Sequence, residues 1–210
     1  MPAVRPSTPA WVRAAIVTAL VGGPGWWLAE RRDRAGNEAR LGAVASAIAG
    51  REVRVRCPGV VGRVLSWDTV EGSVQFDAQG RPAGEARLRT FSCSELDALA
   101  EGRREEVLVC VEHRGPACGT AATDLALAVD VLAHEAWHLA GERDEAVTEC
   151  RAVQTMPAAA ERLGATAEQG LALARIHLAS GYERLPERYR TPACHDGGPL
   201  DLRPADAIWP

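Results

Sequence analysis

One helical segment constrains this chain of 210 residues more than any other part of its sequence. Residues 124–140 carry apolar side chains at helical spacing and stop at Gly141, which predicts an amphipathic helix of about five turns. The helix contains the pattern His-Glu-x-x-His, formed by His134, Glu135 and His138. Because histidines four residues apart lie on one face of a helix, both imidazoles can bind one Zn²⁺ while Glu135 reaches a metal-bound water. The segment therefore predicts a zinc site with Glu135 as general base.

The segment after Gly141 offers the missing ligand. It predicts a short turn and a second helix over residues 144–163, which begins at Asp144 and runs back antiparallel to the first. Glu145 and Glu149 lie one turn apart on this helix and face the histidines. Either carboxylate could complete a site of two histidines and one acid, with water in the fourth position, which is the open arrangement of catalytic zinc. The other could accept the outer N–H of a histidine, and the residues alone leave that choice open.

This helical hairpin resembles the gluzincin group of zinc metallopeptidases. In that group a glutamate on a following helix is the third ligand, and an acid four residues later braces the first histidine. The resemblance implies hydrolysis of peptide bonds, with Glu145 as zinc ligand and Glu149 as brace. The spacing from His138 to these acids is shorter here than in thermolysin-like enzymes, and the likeness covers residues 124–156.

Two further resemblances compete with or extend the first. The segment from His134 to Asp144 reads His-Glu-x-x-His-x-x-Gly-x-x-Asp, which is similar to metzincin-like enzymes and implies Asp144 as third ligand and a Met-turn at Met156. We favour the gluzincin resemblance because Asp144 suits a helix cap and Met156 follows a continuous helix. The whole chain also resembles uncharacterised extracytoplasmic proteins of GC-rich bacteria with a Gly-Gly-Pro-Leu-Asp tail, here residues 197–201. That likeness implies no activity.

The amino terminus and the cysteines predict where the protein is found. Residues 11–28 are apolar between arginines and a charged run, which indicates a signal peptide or membrane anchor over residues 1–33. No small-residue cleavage site follows directly, which favours an uncleaved anchor. The arginines behind the segment favour a cytoplasmic carboxyl side. Six cysteines without a C-x-x-C pair favour three disulfides and export. We therefore expect a membrane-anchored or secreted, extracytoplasmic protein with a single domain over residues 34–210.

The positions of the cysteines suggest two of the pairings. Cys110 and Cys118 bracket a turn, and Cys150 could tie the second site helix to Cys194 in the tail. The full connectivity cannot be read from the sequence. The formal charge is −4 and the arginines form no single stripe, so the chain shows no feature of a nucleic-acid-binding protein.

Hydrophobic patterning predicts an α+β fold, with a small antiparallel sheet beside a helical half that carries the site. Strands are predicted at residues 52–57, 60–67, 73–76, 85–89 and 107–112, with a hairpin turn at 77–82. Helices are predicted at residues 34–50, 94–101, 124–140, 144–163 and 166–184, before an extended tail over 185–210.

Three functions fit these patterns. The first is a zinc metallopeptidase that acts on a peptide or protein substrate, with an oxyanion donor drawn from His177, Tyr182, Tyr189 or His195. The second is a non-catalytic, zinc-containing binding or regulatory protein of the cell envelope. The third is a structural envelope protein in which the motif helix is only core.

Overall fold

A computed structural model of the protein describes residues 10–59, 71–206 and 208–210, with side chains from Leu28 onward except at residue 116. Over these residues the fold is α+β, with six α-helices and a three-stranded sheet, which confirms the predicted class. By its internal contacts the chain divides into two units, Met1–Gly36 and Asn37–Pro210. The candidate site lies wholly in the second unit.

The first helix, α1, spans Ala10–Ala49 and includes most of the segment predicted as helix at residues 34–50. The predicted leader over residues 1–33 begins with nine residues that lie outside the described part of the chain. Among the described residues, no helix is both long and apolar enough to span a membrane. The anchor therefore stays a prediction.

The sheet contains β1 (Arg54–Arg56), β2 (Gly72–Phe76) and β3 (Pro82–Leu88), in the order β1-β3-β2. The predicted hairpin is confirmed, since β2 and β3 are antiparallel across a turn that the Asp77 side chain stabilises by accepting two backbone hydrogen bonds. The expectation of a wholly antiparallel sheet was wrong, because β1 pairs in parallel with β3. A parallel pair needs a long connection, and the chain between β1 and β3 supplies one. The strand predicted at 60–67 lies outside the described residues.

Five further helices follow. They are α2 (Thr90–Ala100), α3 (Glu105–Arg114), α4 (Thr120–Ala140), α5 (Glu145–Arg162) and α6 (Ala167–Ser180), with short 3₁₀ turns at Gly115–Cys118, Tyr182–Arg184 and Glu187–Tyr189. The motif helix, its antiparallel partner and the tail after residue 185 agree with the sequence prediction.

The strand predicted at residues 107–112 was wrong, because this segment forms the middle of α3. Alternating valines suggested a strand, but Leu108 and Val111, three residues apart, are the positions that α3 buries. Acids in its first turn and a histidine and an arginine in its last turn also suit the helix dipole.

The motif helix α4 lies at the centre of the second unit. It packs against α2, α5, α6 and the sheet, and almost every side chain from Leu125 to Leu139 is buried. Its alanines let neighbouring elements approach closely. Side chains on such a helix have little freedom, so the motif residues are held in fixed positions.

Three disulfides join Cys57 to Cys93, Cys110 to Cys118, and Cys150 to Cys194. The two pairings suggested by the sequence are therefore confirmed. The third ties the tail to α5, where the Gln154 side chain also hydrogen-bonds the backbone of Leu200 and Leu202. Three disulfides indicate an oxidising, extracytoplasmic environment.

Candidate metal centre

The turn between α4 and α5 sets the geometry of the site. Helix α4 ends at Gly141, whose φ of 107° is a left-handed conformation that glycine adopts without strain. Helix α5 starts after Asp144, whose carboxylate accepts hydrogen bonds from the amides of Ala146 and Val147. Asp144 therefore acts as a helix cap, and Glu145 in the first turn of α5 lies beside the histidines.

His134, His138 and Glu145 meet in one cluster. Glu145 Oε2 lies 3.1 Å from His134 Nε2 and 3.3 Å from His138 Nε2. A tetrahedral ion with bonds of about 2.0 to 2.1 Å holds its ligand atoms about 3.3 to 3.4 Å apart. The two separations from Glu145 match that spacing, and all three ligand atoms lie within 4.8 Å of one another, so these residues could hold a metal.

The outer nitrogen of each histidine also has a partner. His138 Nδ1 donates to the Glu142 carbonyl oxygen at 2.9 Å, and His134 Nδ1 lies 2.9 Å from Glu149 Oε2. Such partners fix the orientation of an imidazole, so that its other nitrogen points to the metal position. Both Nε2 atoms accordingly face Glu145.

Behind Glu149 lies a buried network that sequence reasoning missed. His177 of α6 donates from Nε2 to Glu149 Oε1 at 2.8 Å, and Asp130 Oδ1 lies 3.7 Å from the same nitrogen. Asp130, Glu149 and His177 could also hold a metal ion, although the 2.8 Å separation is that of a hydrogen bond. The one sequence signal for the network was the position of Asp130, one turn before His134 on the same face.

Glu135 lies in a tight space between α4 and the sheet. Its side chain is buried, and Oε2 has no hydrogen-bond partner among the described residues. Burial raises the pKa of its carboxyl to about 7, against the opposing effect of the two histidines. A carboxylate with this pKa can take up and release a proton near neutral pH.

Charges in the cluster balance one another when no ion is bound. Burial alone would lower the pKa of His134, but hydrogen bonds with Glu145 and Glu149 outweigh burial and raise it to about 11. The hydrogen bonds to His134 and His138 hold the pKa of Glu145 well below its usual range. A cation bound here would replace the imidazolium as the partner of Glu145.

The deeper network is balanced in the same way. Burial would raise the pKa of Glu149, but hydrogen bonds from His134 and His177 lower it. Burial would lower the pKa of His177, but the charges of Asp130 and Glu149 raise it to about 9. Burial and the nearby Glu149 charge raise the pKa of Asp130 to about 7. Glu149 is therefore an ionised acceptor held between two imidazoles.

A cleft of about 610 Å³ opens onto the cluster. Strand β2 and helix α4 line it, together with the first residues of the tail. The ring centres of Phe76 and His138 lie 6.0 Å apart, and those of Tyr189 and His134 lie 5.9 Å apart. The cluster thus has an aromatic side chain next to each histidine and room for a ligand above it.

The four predicted donor residues lie in different places. Tyr189 lines the cleft, whereas His177 is buried behind Glu149. The Tyr182 hydroxyl accepts a hydrogen bond from the Thr191 amide, and His195 is exposed in the tail. Of the four, Tyr189 is the residue placed to meet a ligand.

Met156, the residue considered for a Met-turn, lies in the middle of α5 and is fully buried in the core. Its place in a continuous helix gives it a packing role. The features that resembled a metzincin-like site, Asp144 and Met156, thus have ordinary structural explanations.

Comparison of the chain with protein-family models, curated proteins and solved structures gives no match.

Proposed function

We propose that this protein is a zinc-dependent metallopeptidase. The observation that carries the proposal is the convergence of His134 Nε2, His138 Nε2 and Glu145 Oε2 at 3.1 and 3.3 Å, at the base of an open cleft. Two imidazoles and one carboxylate suit Zn²⁺, and a set of three protein ligands leaves a position for water.

The roles of the acids follow from their contacts. Glu145 is the third ligand, because its oxygen is shared by both Nε2 atoms. Glu149 braces His134 from the opposite nitrogen and keeps Nε2 directed at the ion. This division matches the gluzincin resemblance, while Asp144 is occupied as a helix cap.

Bound zinc would lower the pKa of a water ligand and polarise the carbonyl of the scissile peptide. Glu135 would accept a proton from the attacking water at its carboxylate and pass it to the nitrogen of the leaving amine. Burial raises the pKa of this carboxyl, which favours its holding the proton between the two halves of this transfer. Tyr189, in the cleft wall beside His134, is the candidate donor to the oxyanion.

The amino-terminal segment would hold the enzyme at the membrane or direct its secretion. The disulfides support an extracytoplasmic site of action. The substrate would be a peptide or protein outside the cytoplasm.

A metal-removal experiment tests the proposal. The purified protein is depleted with a chelator, reloaded with zinc and incubated with a peptide library whose products are read by mass spectrometry. We expect about one zinc per chain and cleavage that is lost on depletion and restored by zinc. Tight zinc binding without cleavage would favour the alternative, a non-catalytic zinc protein of the cell envelope. Absence of zinc binding would contradict both.

A further inference from the structure

Two arginines lie at the cleft, and each has its guanidinium over an aromatic ring next to one of the histidines. The Arg143 guanidinium lies 5.8 Å from the ring centre of Phe76, the neighbour of His138. The Arg188 guanidinium lies 4.8 Å from the ring centre of Tyr189, the neighbour of His134. Both arginines line the cleft. Each of the two imidazoles therefore has an aromatic neighbour, and each of these rings has a guanidinium group close to it.

These arginines differ from many others on the surface. Arg81, Arg103 and Arg151 are each paired with a carboxylate. Neither Arg143 nor Arg188 has a carboxylate within 4.0 Å in the described part of the chain, and both are exposed. A guanidinium held over the face of a ring can still donate its N–H groups to a ligand.

The position of Arg143 is also restrained. Its guanidinium packs against the β2–β3 turn, where a Cβ added at Gly80 would lie 2.7 Å from Arg143 Nη1. A restrained side chain loses less conformational entropy when it binds a partner. Arg143 is therefore already placed to bind a ligand.

The acids that line the cleft cannot serve as the missing partners. Glu71 is paired with Arg89. Asp130, Glu145 and Glu149 each lie close to a histidine. Glu135 is buried against β2. Among the described charged residues that line the cleft, Arg143 and Arg188 are thus the ones without a partner of opposite charge, and a substrate that enters it meets two guanidinium groups.

We propose that the cleft selects peptides that carry aspartate or glutamate side chains close to the scissile bond; this proposal rests on the proposed function. Carboxylates can form paired, charge-assisted hydrogen bonds with guanidinium groups. Because the two arginines are exposed, each ion pair with a substrate contributes little free energy. We therefore expect a preference for acidic peptides of about 3- to 10-fold.

The test uses capped peptides that differ only in glutamate or glutamine on each side of the cleaved bond. We expect kcat/KM for the zinc-loaded protein to be about 3- to 10-fold higher with glutamate at low salt. The preference should shrink at 0.5 M NaCl because salt screens exposed charges. Arg143→Gln with Arg188→Gln should remove it, while Arg162→Gln, at an exposed arginine near the end of α5, should not.

The outcomes separate this proposal from the proposed function. Equal cleavage of both peptides, or a preference that survives the double substitution, would overturn the acidic selectivity and leave the peptidase intact. If the zinc-loaded protein cleaves neither these peptides nor any member of the peptide library, the peptidase proposal fails, and the same peptides are measured by fluorescence anisotropy. Tighter binding of the glutamate peptide, lost in the double variant, would then support selection of acidic peptides, and equal binding would overturn it.

Discussion

Gly72, the first residue of β2, lies directly against the carboxylate of Glu135. A Cβ added at Gly72 would lie 2.5 Å from Glu135 Oε1 and 2.7 Å from its Cγ, far inside normal contact. Because Glu135 is buried, its side chain has little space into which to retreat. The absence of a side chain at Gly72 therefore leaves the space between α4 and β2 that the Glu135 carboxylate occupies.

Gly72→Ala should displace Glu135 and leave the metal ligands untouched. We expect zinc content to stay near one per chain while kcat falls by about 100-fold, since a shift of this size misplaces a reacting group. Metal analysis and steady-state kinetics measure the two effects. Gly42→Ala is the matched control, because its Cβ would meet only ordinary contacts of 3.5 Å or more. Unchanged kinetics in Gly72→Ala would contradict this prediction, because they would show that the added methyl group does not misplace Glu135.

Glu135→Gln should separate metal binding from catalysis. The amide keeps the size of the side chain but cannot accept the proton of the water, so hydrolysis should fall by about 100- to 10,000-fold with zinc retained. Cleavage at the parent rate would show that the assigned mechanism is wrong even with zinc present.

Glu135→Gln should also change the free energy of unfolding of the metal-free protein. Burial raises the pKa of the Glu135 carboxyl to about 7 in the folded protein. Once the pH exceeds the lower pKa that this carboxyl has in the unfolded chain, its ionisation opposes folding. Removal of the group should therefore raise the free energy of unfolding of the metal-free protein at pH 8 relative to the parent. Denaturant titration at pH 5 and pH 8 checks this, and the difference should be smaller at pH 5.

Glu145→Gln and Glu149→Gln should have unequal effects on zinc. Glu145 contacts both Nε2 atoms, so its loss should remove high-affinity binding. Glu149 contacts the outer nitrogen of His134, so its loss should weaken affinity by about 10- to 100-fold. Competition with a chromophoric chelator gives the affinities. Glu161→Gln, exposed near the end of the same helix, should bind zinc as the parent does. A reversed order would assign Glu149 as the ligand.

His177 should act on the metal through Glu149. His177→Leu removes the donor to Glu149 Oε1, so Glu149 should hold His134 less firmly and metal affinity should fall by about 10-fold. The visible spectrum of the cobalt-substituted protein should also shift, because the orientation of a ligand changes. His177→Gln, which retains a donor, should recover part of the affinity. Thr148→Val, equally buried on α5 but without a hydrogen bond to the network, is the control. An unchanged spectrum and affinity in His177→Leu would limit His177 to packing.

The helical hairpin could be predicted from the sequence because its signals are local. Apolar spacing, the glycine stop and the cap at Asp144 all lie within a few turns of one another. The division of roles between Glu145 and Glu149 could not, since both lie on one face of α5. The roles depend on how α5 is oriented relative to the two histidines, and this orientation is set only when the hairpin folds.

Contacts between distant segments could not be predicted from the sequence, for a different reason. His177 reaches Glu149 because α6 packs on α4 and α5, and Gly72 reaches Glu135 because β2 lies across α4. No periodicity in the chain encodes such contacts. The helix at residues 105–114 was misread because alternating valines dominate a short window.

Zinc binding should release protons, and the pH dependence follows from His134. In the metal-free protein the pKa of His134 is about 11, so its imidazole carries a proton at pH 7.5, whereas a metal ligand must be neutral. Glu145 is already ionised at this pH and has no proton to give up. We therefore expect about one proton released per zinc from His134, and an affinity that rises with pH between 6 and 8. Isothermal titration calorimetry in buffers of different ionisation enthalpy measures the number. If the binding enthalpy does not change with the ionisation enthalpy of the buffer, no proton is released. His134 would then be neutral before zinc binds, and its contacts with Glu145 and Glu149 would not hold a proton on the imidazole.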